Sequence, residues 1–369
     1  MASGLSIEIC TDWSQTARWR PQWQALHQTM QDGHPFTAYD WFSWWYAAYC
    51  PPGAARIVVV RDDKQVRAIL PGMVEHRVLG GLSLRCFSYA ANGHTPRGAI
   101  IARQEDDAAR QAALAAVMTH LKPAPQMLIF PAVETNSATR HSLLAFRRPG
   151  FTLHVEHAFE APAFDISSGW DAYLAGKSKK TRSRLRESLA RSQNAGEMSL
   201  RFFSLPQEYD ELLERLQTLD AKTWQGQNGT GLFSTPDNAA FYGELVSCTS
   251  QDVHVCVGLL QLGGRDSAYS ISIYQGGTTF FLKIGQDPEF DFCRPGVITM
   301  AQMGEHAAEL GLTEVDLGPG VSEDKRRWET HRRQFHNYWL INNGTMKGRG
   351  LVAMLRAHRM VKRRAVIDP

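Results

Sequence analysis

No stretch of this chain is apolar over the roughly 20 residues that a helix needs to cross a bilayer, which argues against a membrane-spanning protein. The six cysteines, Cys10, Cys50, Cys86, Cys248, Cys256 and Cys293, are scattered through 369 residues without a CxxC pair. That spread argues against a disulfide framework or a zinc ribbon and suits reduced thiols. His331 and His336 have ligand-like spacing, but no second pair accompanies them, so no metal is expected. There is no G-x-S-x-G elbow and no P-loop, which argues against a serine hydrolase of that design and against a nucleoside-triphosphate cradle. The opening MASGLSIEIC lacks a charged segment followed by a long apolar one, so a cytoplasmic protein is expected. A net charge of +3 is too small to argue for nucleic acid.

What is present is ordinary globular composition, 43% hydrophobic and 21% charged, in a chain long enough for two domains. The most informative stretch is 278–320. Residues 278–284 read as a buried strand, 297–310 as a helix and 313–317 as a second strand, which is a βαβ unit. Pro295 suits the first helical turn and Gly311 its C-terminal stop. The N-terminus of such a helix offers free amides to an anion. Before it lie three strands, 253–262, 267–274 and 278–285, joined at Gly263-Gly264 and Gly276-Gly277. The first half repeats the order: helical material, a strand meander, a helix at 104–121, a strand at 127–131 and a helix at 137–146. An extended stretch, 151–166, links the halves. The expected organisation is therefore two copies of one α+β fold, residues 1–160 and 161–369, with antiparallel sheets flanked by helices.

The second half resembles the GNAT-type acyltransferases of the group named after cellulose biosynthesis, the BcsL/CelD family, which is related to the FemAB-type aminoacyl transferases. The resemblance covers roughly 165–342. It is carried by the basic helix KSKKTRSRLR, by Trp224 before a glycine-containing loop, by Arg294 to Ile298 (RPGVI), by Asp316 to Gly320 (DLGPG) and by Lys325 to Trp328 (KRRW). It implies a tandem GNAT fold with acetyl-CoA or another acyl-CoA in a splay between two parallel strands. Leu282 and Ile284 would line that splay, and Arg294, Gly296, Val297 and Ile298 would hold the pyrophosphate. The loop departs from the family pattern in having one glycine, Gly296, beside bulky Phe292 and Cys293.

Direct acyl transfer needs a base for the acceptor, stabilisation of the oxyanion and protonation of the leaving thiolate. Asp316, at the end of a core strand, reads equally as the base and as a turn cap before Gly318. Lys325, assigned to the catalytic site, can hold a phosphate or the acceptor, or be a solvated lysine. Tyr269 and Tyr274 can protonate a thiolate or pack with a polar tip, and Tyr274 is the one assigned to the site. Trp224, Lys179, Arg182 and Trp328 are assigned to the acceptor, expected in a cleft between the domains. Seven basic residues between Lys177 and Arg191 face a single acid, Glu187. They form a solvated face, a hold for an anionic acceptor, or a nucleic-acid contact. The basic C-terminal helix, 346–364, packs on the second domain or lies on a membrane surface. The expected activity is N- or O-acyl transfer to a sugar, a polysaccharide precursor or another small polar acceptor. The alternatives are a FemAB-like transferase using aminoacyl-tRNA and a non-catalytic GNAT-fold subunit of an exopolysaccharide synthesis complex.

Overall fold

Each half of the chain builds its sheet from a meander, a crossover helix and a strand that returns parallel. The computed structural model describes residues 4–203, 209–247 and 250–365, with side chains to residue 357. Cys248 and the basic side chains from Arg359 onward, on which part of the sequence reading falls, lie outside the described residues.

The chain forms two compact units. One comprises Met1–Phe42, Cys50–Phe159 and Gln334–Pro369, the other Ser43–Tyr49 and Glu160–Arg333. In the first unit β1 (Ser6–Cys10), α1 (Arg20–Thr29) and the start of α2 (Tyr39–Tyr49) precede β2 (Ile57–Arg61) and β3 (Val66–Leu70). These strands form a sheet of order β1-β2-β3-β6, with β6 at Ile101–Ala102. Trp23, Trp41 and Phe42 are fully buried beside it, so these aromatics are core. The chain then makes the hairpin β4 (Gly72–Leu79) and β5 (Leu82–Tyr89), and α3 (Asp107–Thr119) carries it to β7 (Met127–Glu134). β5 and β7 pair in parallel from Cys86↔Met127 to Ser88↔Ile129. α4 (Ala138–Ala145) and the long β8 (Phe151–Asp165) lead onward.

The second unit repeats the plan. α5 (Trp170–Ala175), α6 (Lys179–Ala195), β9 (Met198–Phe203), α7 (Tyr209–Lys222), α8 (Trp224–Gln227) and α9 (Pro236–Val246) come before the meander β10 (His254–Leu262), β11 (Arg265–Gln275) and β12 (Thr278–Gln286). The glycine pairs that join these strands have positive φ at both positions, 56° and 75°, then 58° and 84°. A tight two-residue hairpin of this kind requires that, and L side chains resist it. α10 (Pro295–Glu309) crosses over to β13 (Glu314–Asp316), parallel to β12. α11 (Glu323–Trp328), β14 (His331–Asn342) and α12 (Met346–Ala365) complete the chain. The fold is mixed α+β with sheets flanked by helices, as the repeated element order predicts.

The long strands change the expected domain limits. β13 takes its antiparallel neighbour from the end of β8, through Val315↔Phe164 and Asp316↔Ala163. β7 takes its neighbour from β14, through Phe335↔Glu134 to Ile341↔Met127. Each sheet is thus closed by a strand that follows the other unit's helices in sequence. Residues from Gln334 on therefore belong to the first unit, which corrects the expected second domain of 161–369. α12 goes with them. Its Leu351 and Val352 share a core cluster with Leu84, Cys86, Met127 and Ile341, and Lys347 donates to the Ser83 carbonyl at 2.8 Å. This helix packs on the first unit, not on the second.

The first unit's parallel pair is occupied by its own chain. Beyond Ser88↔Ile129, Gly98 donates to the carbonyl of Ala132 at 3.1 Å, and a Cβ on Gly98 would meet the Pro131 oxygen at 2.5 Å. Among the described residues the second unit has no such filler. Among the described residues no helix is long and apolar enough to cross a membrane.

Ending the chain at Arg333 would remove buried Phe335, Tyr338, Ile341, Leu351 and Val352. At about 1.5–3 kcal/mol for each large side chain, that loss rivals a domain stability of about 5–15 kcal/mol. The truncated protein is expected to lose the first unit's cooperative transition in urea while the second unit's persists. Circular dichroism and tryptophan fluorescence would check this, and a native-like two-unit profile would contradict the strand's assigned role.

Candidate active site

The parallel contact between β12 and β13 is three residues long, Thr278↔Glu314, Thr279↔Val315 and Phe280↔Asp316. β12 then runs on to Gln286 with no strand on that side among the described residues. The divergence has local causes. Asp316 Oδ1 accepts from the Gly318 amide at 2.8 Å, and Gly318 turns away at φ 72°. A Cβ on Gly318 would lie 2.9 Å from the Phe281 carbonyl, so a residue without a side chain is needed where the strands part. Opposite, the β11–β12 register slips, with Ile271 facing Lys283 and Ser272 facing Phe281. Leu282 is the extra residue of a β-bulge.

A one-residue insertion exchanges the faces of everything after it. Phe281 packs with Ala301, Met303 and Val315 on the α10 side. Gly285 lies under the ring of Tyr269, where a Cβ would meet it at 2.5 Å, and Tyr269 donates to Asp220 Oδ1 of α7 at 2.7 Å. Lys283, two residues before Gly285, therefore lies on the α7 face. Val315 and Leu317 belong to the α10-side cluster, so Asp316 between them lies on the α7 face as well. A polar band results: Asp220, Tyr269, Lys283, Asp316 and, near Asp316, Lys325 and Arg333.

The members differ in availability. Asp316 is 1% exposed, and its Oδ2 accepts from Arg333 at 3.1 Å. Its other oxygen caps Gly318, so both carboxylate oxygens are engaged. Lys325 Nζ donates to the carbonyls of Gly318, 3.2 Å, and Pro319, 2.7 Å. Burial brings its pKa down to about 8, against the opposing pull of Asp316. Burial, then the charge of Asp220, keeps the Tyr269 hydroxyl protonated far above its ordinary range. Asp220 Oδ2 also accepts from the Phe233 amide at 3.2 Å, which ties the loop after Trp224 to the sheet.

Tyr274 does not join this band. It pairs with Thr279 near the closed end of the strands, stacks on His254 at 5.1 Å and packs on the α10-side cluster. The register puts Tyr269 beside the open stretch instead. Trp328 is buried in the same cluster, stacked on Trp170 at 6.1 Å, so it is core and not an acceptor contact. Trp224 is 62% exposed and free to stack. Lys179 is exposed, while Arg182 donates to the Ala175 carbonyl at 2.9 Å. The rest of the basic helix is partly spent: Lys177 on the carbonyls of Trp328 and Glu329, Arg184 on Asp324, Arg191 on the Phe292 carbonyl.

The predicted phosphate loop is a 3₁₀ turn, Pro288–Cys293, followed by Arg294 at φ 55° and by α10. The Gly296 amide donates to Gln286 Oε1 at 2.9 Å, and the Val297 amide to the Arg294 carbonyl at 3.0 Å. Ile298 is fully buried with Leu260 and Ala268, so only its backbone can serve a ligand. The Arg294 side chain has no ion pair or hydrogen bond among the described residues. Leu282 and Ile284 are half-buried on the unpaired stretch of β12. For the sulfur- or phosphate-bearing end of an acyl-CoA, the splay and Arg294 fit, and Gln286 has to release one amide. His331 contacts Glu314 at 3.0 Å.

Residues 179–326 match the family model described as Acetyltransferase (GNAT) domain. Nothing among the curated proteins matches the sequence. The structure is similar to the crystal structure of FemX, with a TM-score of 0.61 at 14% identity over 88% of this chain and 96% of that one. It is also similar to the C-terminal domain of a putative lysylphosphatidylglycerol synthetase from Agrobacterium fabrum, with a TM-score of 0.55 at 12% identity over 91% and 96%. At these identities the structural likenesses establish the fold.

Replacing Asp220 by Ala orphans the Tyr269 hydroxyl and the Phe233 amide. Each buried unpaired donor costs about 1–3 kcal/mol, so a clear drop in the urea midpoint is expected. An unchanged midpoint would mean that the carboxylate does not tie loop and sheet together.

Proposed function

We propose that this GNAT-superfamily acyltransferase moves an acyl group, most simply acetyl from acetyl-CoA, directly to an amine or hydroxyl of a small polar acceptor such as a sugar or polysaccharide precursor. The observation that carries the reading is the early divergence of β12 from β13, with α10 starting at its open end. The unpaired edge of β12 from Leu282 to Ile284 offers strand amides to an acyl carbonyl and an apolar lining to the arm behind it. Arg294 and the amides of Gly296, Val297 and Ile298 would meet the donor's pyrophosphate, where the helix N-terminus favours negative charge.

On this reading Lys325 is the base. Its neutral form, populated above about pH 8, takes the proton from the acceptor as the new C–N or C–O bond forms. The C–S bond breaks, and the thiolate leaves to be protonated from solvent. Asp316, held by Arg333, positions the 316–320 loop whose carbonyls carry the lysine. Trp224 and the exposed Lys179 are kept as acceptor contacts.

A second reading has a specific observation behind it. The Gly296 amide is already satisfied by Gln286, and Asp287, Glu289 and Asp291 crowd the loop. That loop suits a pyrophosphate less well and leaves room for a FemAB-like donor, aminoacyl-tRNA, read by Lys179, Lys180 and Arg186 of α6.

Titration calorimetry separates the two. Acetyl-CoA is expected to bind at one site per chain, since the first unit's equivalent gap is filled. Gly296→Trp is expected to weaken that binding. Salt-sensitive tRNA binding with no heat from any acyl-CoA would overturn the first reading in favour of the second. The rate of acetyl-CoA consumption with an acceptor is expected to rise as pH passes about 8. Lys325→Met should flatten that limb while leaving acetyl-CoA affinity unchanged, and a wild-type-like profile in this variant would remove Lys325 as base.

A further inference from the structure

Among the polar groups on the α7 face, one cation has no committed partner. Asp316 is taken by Arg333 and the Gly318 amide, Asp220 by Tyr269 and the Phe233 amide, and Lys222 lies 3.5 Å from Asp287. Lys325 is held by two carbonyls. Lys283 is half-buried and has no hydrogen bond or ion pair among the described residues. It lies in an otherwise apolar run, Phe280-Phe281-Leu282 before it and Ile284 after it, where a leucine or methionine would satisfy packing. The bulge at Leu282 turns it off the α10 side and onto the face of Asp220 and Tyr269.

We propose that Lys283 holds an anionic group of the acyl acceptor, a phosphate or a carboxylate, beside the open stretch of β12. A half-desolvated ammonium costs free energy until an anion meets it. Burial lowers the Lys283 pKa and the nearby Asp220 charge opposes that. Asp220 accepts from Tyr269 and the Phe233 amide and makes no ion pair with Lys283, which leaves the Lys283 ammonium available to a ligand anion. The acceptor class thus narrows from any small polar molecule to one with an anionic oxygen near its nucleophile. This proposal rests on the reading that Lys325, in the same polar band, is the base that meets the acceptor.

The test is competitive acetylation of the full chain by acetic anhydride, a neutral reagent, with peptide mass spectrometry reporting each lysine. Inorganic phosphate, acetate and chloride at matched ionic strength are the probes. Phosphate or acetate is expected to slow acetylation of Lys283 about tenfold at saturation, equivalent to about 1.4 kcal/mol, while exposed Lys64 is unaffected. The better protector identifies the anion. Equal effects of all three salts, or none, would overturn the proposal. In parallel, Lys283→Met is expected to bind acetyl-CoA with wild-type affinity. Selective loss of that binding would assign Lys283 to the donor and overturn the proposal too. If wild type itself does not bind acetyl-CoA, the donor reading fails, and the protection result still decides the anion site.

Discussion

The point at which β12 leaves β13 is the constraint on which the rest of the second unit depends. Two parallel strands that stayed paired would satisfy each other's amides and leave nothing for a ligand. Here the pairing stops after Phe280 and Asp316. The stop is built from both sides: Asp316 folds back on Gly318, Gly318 passes close to the Phe281 carbonyl, and β13 keeps its other partner through the Leu317 amide on the Pro162 carbonyl. β13 cannot follow β12 without giving up that neighbour. The gap therefore follows from backbone chemistry, and ligand binding need not create it.

The bulge at Leu282 then decides which chemistry faces the gap. With a regular register, Lys283 would point with Phe281 into the apolar cluster under α10, an untenable place for a charge. The extra residue turns it to the polar side. The same turn brings Gly285 beneath Tyr269, whose ring needs the space a side chain would fill. One insertion thus fixes two features of the band, and Asp220 links both to the loop that starts at Trp224. The first unit carries the same topology without the opening, because Gly98 and its neighbours follow β7 past the end of β5. One repeat keeps a gap and the other fills it.

Much of this was legible in the sequence where the signal was local. The Gly-Gly turns fixed the β10–β12 meander, and Pro295 and Gly311 bounded α10 to within a residue or two. The basic stretch reads as a helix over 178–194, and the structure has it at Lys179–Ala195 with Leu185 on its buried side. What was not legible depended on pairing across distance. Nothing in residues 151–165 or 331–342 says which sheet each will join, so the exchange of β8 and β14, and with it the place of α12, escaped the reading. The difference between Tyr269 and Tyr274 was hidden for a related reason. They sit five apart on one strand with similar neighbours, and only the register tells which lies beside the open stretch. Trp328 was read from its motif, but its burial against Trp170 is a matter of packing. Lys283 did leave a trace, a lysine inside an apolar strand, which the pattern of the surrounding residues hid.

The helix N-terminus of α10 shows how an anion site can be present in outline and still be contested. Pro295 at the first turn and free Arg294 are what a phosphate would ask for. Gln286 answers the Gly296 amide first and anchors its own amide on Asp291. A neutral amide is a weaker partner for a helix N-terminus than a doubly charged phosphate, so Gln286 is displaceable where the ligand's charge outweighs the nearby carboxylates. Those carboxylates are not all free: Glu289 is drawn to Arg265, and Asp287 both caps the 3₁₀ turn and faces Lys222. The charge opposing a phosphate is therefore smaller than the count of acids suggests, which supports the proposed nucleotide-bearing thioester even though the loop's glycines are few.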